Sequence, residues 1–330
     1  MLIVMEKSAT ERQIQDVAGL IESMGLKAKP LPGSIRTAIG VMGNKGYVDA
    51  DRVLRMKGVL EIIHVSKPYK QVSREWRSED TVVEVAGVPV GGDKSFVVIA
   101  GPCAIESHEQ ALECAREVKR AGARLFRGGI FKPRTAPYDF QGLGEKGKDI
   151  LNEVRQSVGL PVVTEILHIK NLELVAGCAD MLQIGTRNMQ NYDLLVEAAK
   201  TGKPILLKRG MSARLEEFLL AAEYILDAGN DQVVLCERGI RTFETATRNT
   251  LDLNSVALAR QLSHLPIIVD PSHGTGRASL VRPLSLAARA VGAQGVMVEV
   301  HPDPPNALSD GQQSLTFSEF SDLMAGLPGS

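Results

Sequence analysis

Between Phe96 and Val300 a short run of mainly branched apolar residues occurs eight times, each time beside a residue suited to binding an anion or a metal, or to opening a glycine turn. The runs are Phe96–Ala100, Leu125–Phe126, Val162–Val163, Met181–Ile184, Ile205–Leu207, Val233–Leu235, Ile267–Val269 and Val296–Val300. The residues at or near their ends are Cys103, Arg127, Glu165, Arg187, Lys208, Arg238, His273 and Glu299. Strands covered on both faces read as continuous apolar runs, and the stretches between these runs are amphipathic and long enough for one helix each. Eight strand–helix units predict an α/β fold, a (β/α)8 barrel, in which polar residues at all eight strand ends converge on one cavity.

The chain has 330 residues, and about 230 suffice for such a barrel, so a smaller unit must precede it. Residues 1–70 have the order strand, helix, strand, strand, helix, strand, which predicts a ferredoxin-like α+β domain. Ser8 or Thr10 is placed to cap its first helix and Gly25 to end it. Strands are expected at Leu2–Met5, Leu26–Lys29, Ala38–Met42 and Val59–Val65, with a chain break over Lys29–Ser34. A polar linker from Tyr69 to Thr81, anchored by Trp76, leads to the barrel of residues 71–330. Val82–Val85 and Val88–Val90, joined by Ala86-Gly87, predict a hairpin that closes the amino-terminal mouth. Such a small domain can sense a ligand or simply pair subunits, and no residue assigned to chemistry below falls within it.

Charge excludes some partners. Thirty-eight Lys and Arg against 39 Asp and Glu give a net charge of −1 without long blocks of one sign, so no nucleic-acid or membrane footprint is expected. Four cysteines without Cys-x-x-Cys spacing, and an apolar start too short for a signal peptide, predict a reduced cytoplasmic protein.

Against that neutral background, Phe126–Pro137 places Arg127, Lys132, Arg134 and Thr135 among glycines and prolines just past an apolar run. Arginine offers a planar fork that matches phosphate oxygens, and lysine a compact charge. With Arg187, Lys208 and Arg238 at other strand ends, the barrel mouth predicts a substrate carrying several negative charges. A second constellation comprises Cys103, His273, Glu299 and Asp310. Three of these lie at or just after the ends of the first, seventh and eighth runs, which become neighbours when a barrel closes, and their thiolate, imidazole and carboxylate groups suit a divalent transition metal. Cys114, Cys178 and Cys236 lack such partners and read as packing residues. Glu165 and Asp270 also end strands, where surrounding cations are expected to hold both ionised. No Walker loop, dinucleotide fingerprint or Ser-His-Asp order is present.

Longer segments carry a resemblance. Ile99–Ser107, Lys132-Pro133-Arg134-Thr135, Ile184–Gln190, Leu207-Lys208-Arg209-Gly210, Cys236–Phe243, Asp270-Pro271-Ser272-His273, Glu299–Pro302 and Ala307-Leu308-Ser309-Asp310 resemble 3-deoxy-D-arabino-heptulosonate 7-phosphate synthases, and the amino-terminal domain resembles their type I beta subtype. The resemblance implies condensation of phosphoenolpyruvate with erythrose 4-phosphate, releasing phosphate, as the first step of the shikimate pathway. It implies that Arg127, Lys132, Arg187, Lys208 and Arg238, with Glu165 and the Thr186 backbone, hold phosphoenolpyruvate. It assigns Lys132, Pro133, Arg134 and Thr135 to the aldose phosphate, and Cys103, His273, Glu299 and Asp310 to a divalent metal such as Mn2+. Lys132 becomes the expected proton donor, with Cys103 and His273 beside it in the catalytic centre. A homotetramer and feedback by tyrosine or phenylalanine are further family expectations; because the loop after the second strand reads Lys29-Pro30-Leu31-Pro32, no effector residues are carried over.

Three rival readings differ in chemistry. The sister synthase that uses arabinose 5-phosphate to make 3-deoxy-D-manno-octulosonate 8-phosphate carries a Lys-Ala-Asn-Arg-Ser-Ser type loop where this chain has Lys-Pro-Arg-Thr. A Schiff-base aldolase would use Lys208 as an uncharged nucleophile. A silent phosphosugar sensor would have no use for an intact metal set.

Overall fold

The structure, a computed structural model, describes residues 1–33, 35–43, 48–63, 68–92 and 96–327. The chain divides into two compact units, Met1–Lys70 and Gln71–Ser330.

In the first unit, β1 (Leu2–Met5), α1 (Glu11–Ser23), β2 (Lys27–Pro32), β3 (Thr37–Met42), α2 (Ala50–Leu54) and β4 (Val59–Ile63) follow one another. Their antiparallel sheet has the order β2-β3-β1-β4, that of a ferredoxin-like sandwich. Thr10 is the cap: its hydroxyl accepts from Gln13 N while Gln13 returns a bond to Thr10 N, an exchange that stabilises a helix start by about 1 kcal/mol. Ile14, Val17 and Ile21 then bury one face of α1 among Ile3, Met5, Ile39, Val41 and Val53.

One expectation fails here. Lys29–Pro32 does not break the chain but completes β2, pairing with β3 from Lys27 opposite Met42 to Pro32 opposite Thr37. Proline is tolerated because β2 is an edge strand, and prolines two residues apart both turn their missing N–H positions to the unpaired side. The expected extension of the last strand to Val65 lies outside the described residues.

The second unit opens with the hairpin β5 (Val82–Val85) and β6 (Val88–Gly91), turned by Ala86 and Gly87 at φ +47° and +84°. Eight parallel strands follow: β7 (Val97–Gly101), β8 (Leu125–Arg127), β9 (Val162–Ile166), β10 (Met181–Ile184), β11 (Ile205–Lys208), β12 (Val233–Glu237), β13 (Ile267–Val269) and β14 (Gly295–Glu299). They close into a barrel, with β14 pairing β7 from Gly295–Val97 to Glu299–Gly101. Around it lie α3 (His108–Arg120), α4 (Lys146–Glu153), α5 (Leu172–Cys178), α6 (Tyr192–Lys200), α7 (Leu215–Asp227), α8 (Leu253–Leu262), the short α9 (Pro271–Thr275), α10 (Ala278–Ala290) and α11 (Phe317–Ala325).

Hairpin residues Val83, Val85, Val88 and Val90 join Leu206, Val234, Cys236, Ile268 and Met297 in one buried cluster, so the hairpin plugs the barrel floor. At about 25 cal/mol per Å2, each buried valine or leucine contributes roughly 1.5–3 kcal/mol to closing it. The linker is fastened too: Gln71 N and Val72 N donate to Glu223, Trp76 is buried, and His264 bonds both Gln71 and Thr81. Among the described residues no helix is long and apolar enough to cross a membrane.

Candidate active site

Strand periodicity decides which side chains enter the barrel. Leu206 and Cys236 belong to the interior cluster, so by alternation Lys208 and Arg238, two positions on, also face the cavity. The functional residues do not all lie within strands: Cys103 comes two residues after β7, Arg187 follows a short turn after β10, and His273 sits on α9. Arg127, Glu165, Lys208 and Glu299 are the last or nearly last residues of their strands, so the site is built from strand ends together with the turns just beyond them.

One cavity at the carboxyl ends of the strands is lined by Lys132, Pro133, Arg134, Thr135, Glu165, Thr186, Arg187, Lys208, Arg238, His273 and Asp310. Below them lie Arg127, Cys103 and Glu299, all buried. Arg127 donates to Cys103 Sγ at 3.2 Å and has Glu299 Oε1 at 3.4 Å, while its Nε and Nη1 have no hydrogen-bond partner. A buried guanidinium with unused N–H groups is costly unless an acceptor arrives. Burial also lowers the pKa of Arg238, with Asp270 opposing and Arg248 adding. Both cations lie where an anion would relieve them.

Cys103, His273, Glu299 and Asp310 place one ligand atom each within 4.8 Å of one another, in an arrangement able to hold a metal ion. Asp270 caps α9 by accepting from His273 N at 2.9 Å through Oδ1, and its Oδ2 takes the His273 Nδ1–H at 2.7 Å. That bond fixes the tautomer and leaves Nε2 as an acceptor, 3.6 Å from Cys103 Sγ and 3.1 Å from Glu299 Oε1. Desolvation pushes His273 down to about 4, against Asp270 and Glu299, so the ring is neutral, the form that can ligate. Glu299 Oε1 has no hydrogen-bond donor. Two acceptors facing each other without a proton between them, beside a thiol and a second carboxylate, fit a cation.

The carboxylates differ in environment. Burial opposes ionisation of Asp270, but His273 and Lys208 outweigh it and hold its carboxyl well below the usual range. Glu165 departs from the expectation that nearby cations dominate: desolvation outweighs Lys208, Lys132 and Arg127 and raises its pKa. Gln183 donates to Glu165 Oε2 at 3.0 Å. Gly185 leaves room for this carboxylate: a Cβ there would lie 1.9 Å from Glu165 Oε1, so any larger residue must displace the Glu165 side chain. Burial and Glu299 push the Cys103 thiol up, against Lys132 and Arg127.

Lys132 Nζ lies 2.5 Å from both Cys103 Sγ and Asp310 Oδ2, at the junction of the two constellations. Lys208 Nζ lies 2.5 Å from Asp270 Oδ2, an ion pair suited to anion binding and unsuited to Schiff-base attack. At the rim, Arg187 donates to Thr135 Oγ1 at 3.5 Å and Arg134 pairs with Asp139 at 2.9 Å.

Three residues were missed. Gln183, a polar residue inside an apolar strand, carried a legible signal. Arg248, bonded to Asp310 Oδ1 at 3.3 Å, comes from a loop, and Gln313, donating to Glu299 Oε2 at 2.7 Å, from the one-turn 3-10 helix Gly311–Gln313; neither had one. Asp310 itself is held at φ +57°, a left-handed conformation uncommon for aspartate, which aims its carboxylate inward. Cys114, Cys178 and Cys236 are buried and free of disulfides, and their thiols donate to backbone carbonyls, of Val300 at 3.4 Å, Val175 at 3.4 Å and Glu237 at 3.8 Å.

The chain as a whole is similar to known proteins. Residues 74–327 match the DAHP synthetase I family and residues 1–67 the DAHP synthase ferredoxin-like domain. A phospho-2-dehydro-3-deoxyheptonate aldolase of Thermotoga maritima is 51% identical over 324 residues, covering 98% of this chain and 96% of that protein. A 2-dehydro-3-deoxyphosphooctonate aldolase of Syntrophotalea carbinolica is 35% identical and covers 72% of this chain and 91% of its own length. The crystal structure of the Thermotoga DAHP synthase aligns with a TM-score of 0.78 at 50% identity, covering 99% of this chain and 95% of that one. A truncated form of the Thermotoga synthase aligns at 0.73 with 51% identity, covering 78% of this chain and 94% of that one.

Proposed function

This chain belongs to the DAHP synthetase I family, and from that premise we propose how its barrel mouth divides the work of the reaction. The reaction is the condensation of phosphoenolpyruvate with erythrose 4-phosphate to 3-deoxy-D-arabino-heptulosonate 7-phosphate and phosphate, the first step of the shikimate pathway.

Phosphoenolpyruvate lies deep, its phosphate and carboxylate taken by Arg127, Lys208, Arg238 and Arg187, with Lys132, Glu165 and the Thr186 backbone beside it. The observation that carries this reading is Arg127, buried with two guanidinium nitrogens unpartnered. Erythrose 4-phosphate enters above, its phosphate held by Arg134 and Thr135 in a loop stiffened by Pro133. A divalent ion, Mn2+ by preference, held by Cys103, His273, Glu299 and Asp310 would polarise the aldehyde oxygen as a Lewis acid.

The methylene carbon of phosphoenolpyruvate attacks the aldehyde carbon, forming the new C–C bond. Lys132 supplies the proton to the resulting alkoxide, since its Nζ lies 2.5 Å from Cys103 Sγ and from Asp310 Oδ2, beside the cluster that would hold the aldehyde oxygen. Water adds at the second carbon of the former phosphoenolpyruvate, and the C–O bond to phosphate then breaks. The cations stabilise charge throughout by fixed position, which is where such sites gain most.

Residues 1–70 act as a regulatory domain for an aromatic amino acid and contribute no catalytic group. The working assembly is a homotetramer in the cytoplasm. Calorimetric titration with phosphoenolpyruvate alone tests the substrate site: Arg127→Met should weaken binding by about 10- to 150-fold, the loss of charge-assisted bonds worth roughly 1.5–3 kcal/mol. Unchanged affinity would remove Arg127 from it.

A further inference from the structure

Beside the two cavity cations Lys208 and Arg238 stand Arg209 and Glu237, which the reaction above does not use. By strand alternation they face the opposite way, into the layer between barrel and helices. The preceding residues on that face are apolar and buried: Ile205 and Leu207 on β11, Val233 and Leu235 on β12. A buried ion pair closes that apolar ladder. Arg209 Nη1 donates to Glu237 Oε2 at 2.9 Å, to Asp252 Oδ2 at 3.0 Å and to Ser255 Oγ at 2.9 Å, and its Nε donates to Ala213 O at 3.0 Å. Glu237 Oε1 in turn accepts from Gly239 N at 2.6 Å. Both side chains are almost fully covered.

Apolar residues of similar volume would pack this layer at no loss, and often with a gain, because burying charge is costly. What an apolar pair lacks is direction. The guanidinium ties the end of β11 to the starts of α7 and α8, and the carboxylate ties the end of β12 to the turn at Gly239. Backbone bonds join these ends further, Arg209 N to Cys236 O at 3.0 Å and Asp270 N to Glu237 O at 2.8 Å.

We propose that Arg209 and Glu237 are positioning residues for phosphoenolpyruvate: by locking the ends of β11 and β12 from outside the barrel, they set the spacing of Lys208 and Arg238 inside it. The inference rests on the reading that those two cations hold phosphoenolpyruvate. Each outer residue is bonded in sequence to the cation it governs, so a rotation of the backbone at Arg209 or Glu237 reorients Lys208 or Arg238 directly. Erythrose 4-phosphate, held by Arg134 and Thr135 on the loop after β8, is outside this influence.

The test compares Arg209→Lys, which keeps the charge without the fork, and Glu237→Gln, which keeps an acceptor for Gly239, with Lys208→Met and wild type. Phosphoenolpyruvate affinity is read by calorimetry, both Michaelis constants by phosphate release, and folding by thermal denaturation. In folded variants the expected result is a rise of about tenfold in Kd and KM for phosphoenolpyruvate, with the KM for erythrose 4-phosphate changed less than about twofold. If a single variant does not fold, Arg209→Leu with Glu237→Leu restores a neutral, filled layer and should fold while showing the same selective loss. Full phosphoenolpyruvate affinity in any folded variant, or equal losses for both substrates, overturns the inference. A loss in Lys208→Met with none in Arg209→Lys overturns it alone, whereas no loss in Lys208→Met overturns the site reading and the inference with it.

Discussion

His264 offers a measurement of how the linker is joined to the barrel. Gln71 O can only accept, so the ring donates from Nε2 at 2.7 Å, and Nδ1, 2.7 Å from the Thr81 hydroxyl, accepts from it. The neutral ring satisfies both partners. Burial pushes His264 from 6.5 down to about 4; the Gln71 carbonyl and Asp231 favour the charged ring, and Arg77 and Arg74 oppose it. The folded pKa is therefore the lower one, and the unfolded chain binds more protons between the two values. Stability from this group is complete above about 6.5, falls as pH drops, and is lost below about 4. At about 1.4 kcal/mol per pH unit the whole window is worth roughly 3 kcal/mol, of which about 2 is gone by pH 5. Urea unfolding followed by the fluorescence of Trp76, the single tryptophan, reads this region directly. Between pH 7.5 and pH 5 the wild type should lose about 2 kcal/mol more than His264→Gln, whose amide can donate and accept but does not titrate. Equal pH dependence in the two proteins would show that the ring is not held neutral and refute the reasoning.

Other consequences are kinetic. Gly185→Ala drives a Cβ into the Glu165 carboxylate and, by displacing it, should raise the KM for phosphoenolpyruvate by about tenfold while leaving the melting temperature nearly unchanged; steady-state kinetics with calorimetry checks both. Arg134→Ala should raise the KM for erythrose 4-phosphate about 10- to 150-fold and spare that for phosphoenolpyruvate, and equal losses would contradict the placing of the aldose phosphate. A chain beginning at Gln71 should keep turnover and lose any response to tyrosine or phenylalanine; retained inhibition would put the effector on the barrel. It should begin no later than Gln71, because Gln71 and Val72 bond Glu223 and the Gln71 carbonyl satisfies His264.

Legibility in the sequence followed the range of the interaction. All eight barrel strands could be read from local apolar runs, and Thr10 and Gly25 were readable as helix boundaries because capping is a local event. Lys29–Pro32 was misread because a proline's cost depends on whether the strand has a neighbour on that side, which only the sheet order decides. The charged residues of the mouth stood out because cations and metal-ligand types recur at strand ends. Arg248, Gln313 and the Arg209–Glu237 pair did not, since the fold and not local spacing brings them to Asp310, Glu299 and each other. The raised pKa of Glu165 likewise follows from how deeply the folded mouth excludes water, a quantity no count of neighbouring cations contains.

The central claim is that one barrel mouth joins two phosphorylated substrates through the cluster of Cys103, His273, Glu299 and Asp310. Phosphate release from phosphoenolpyruvate measures it most directly, in chelated and Mn2+-restored protein, with erythrose 4-phosphate, with arabinose 5-phosphate and with neither. The account predicts release only with metal and erythrose 4-phosphate together, and none from Cys103→Ala under any of these conditions. Full release from exhaustively chelated Cys103→Ala, or faster release with arabinose 5-phosphate than with erythrose 4-phosphate, would contradict it.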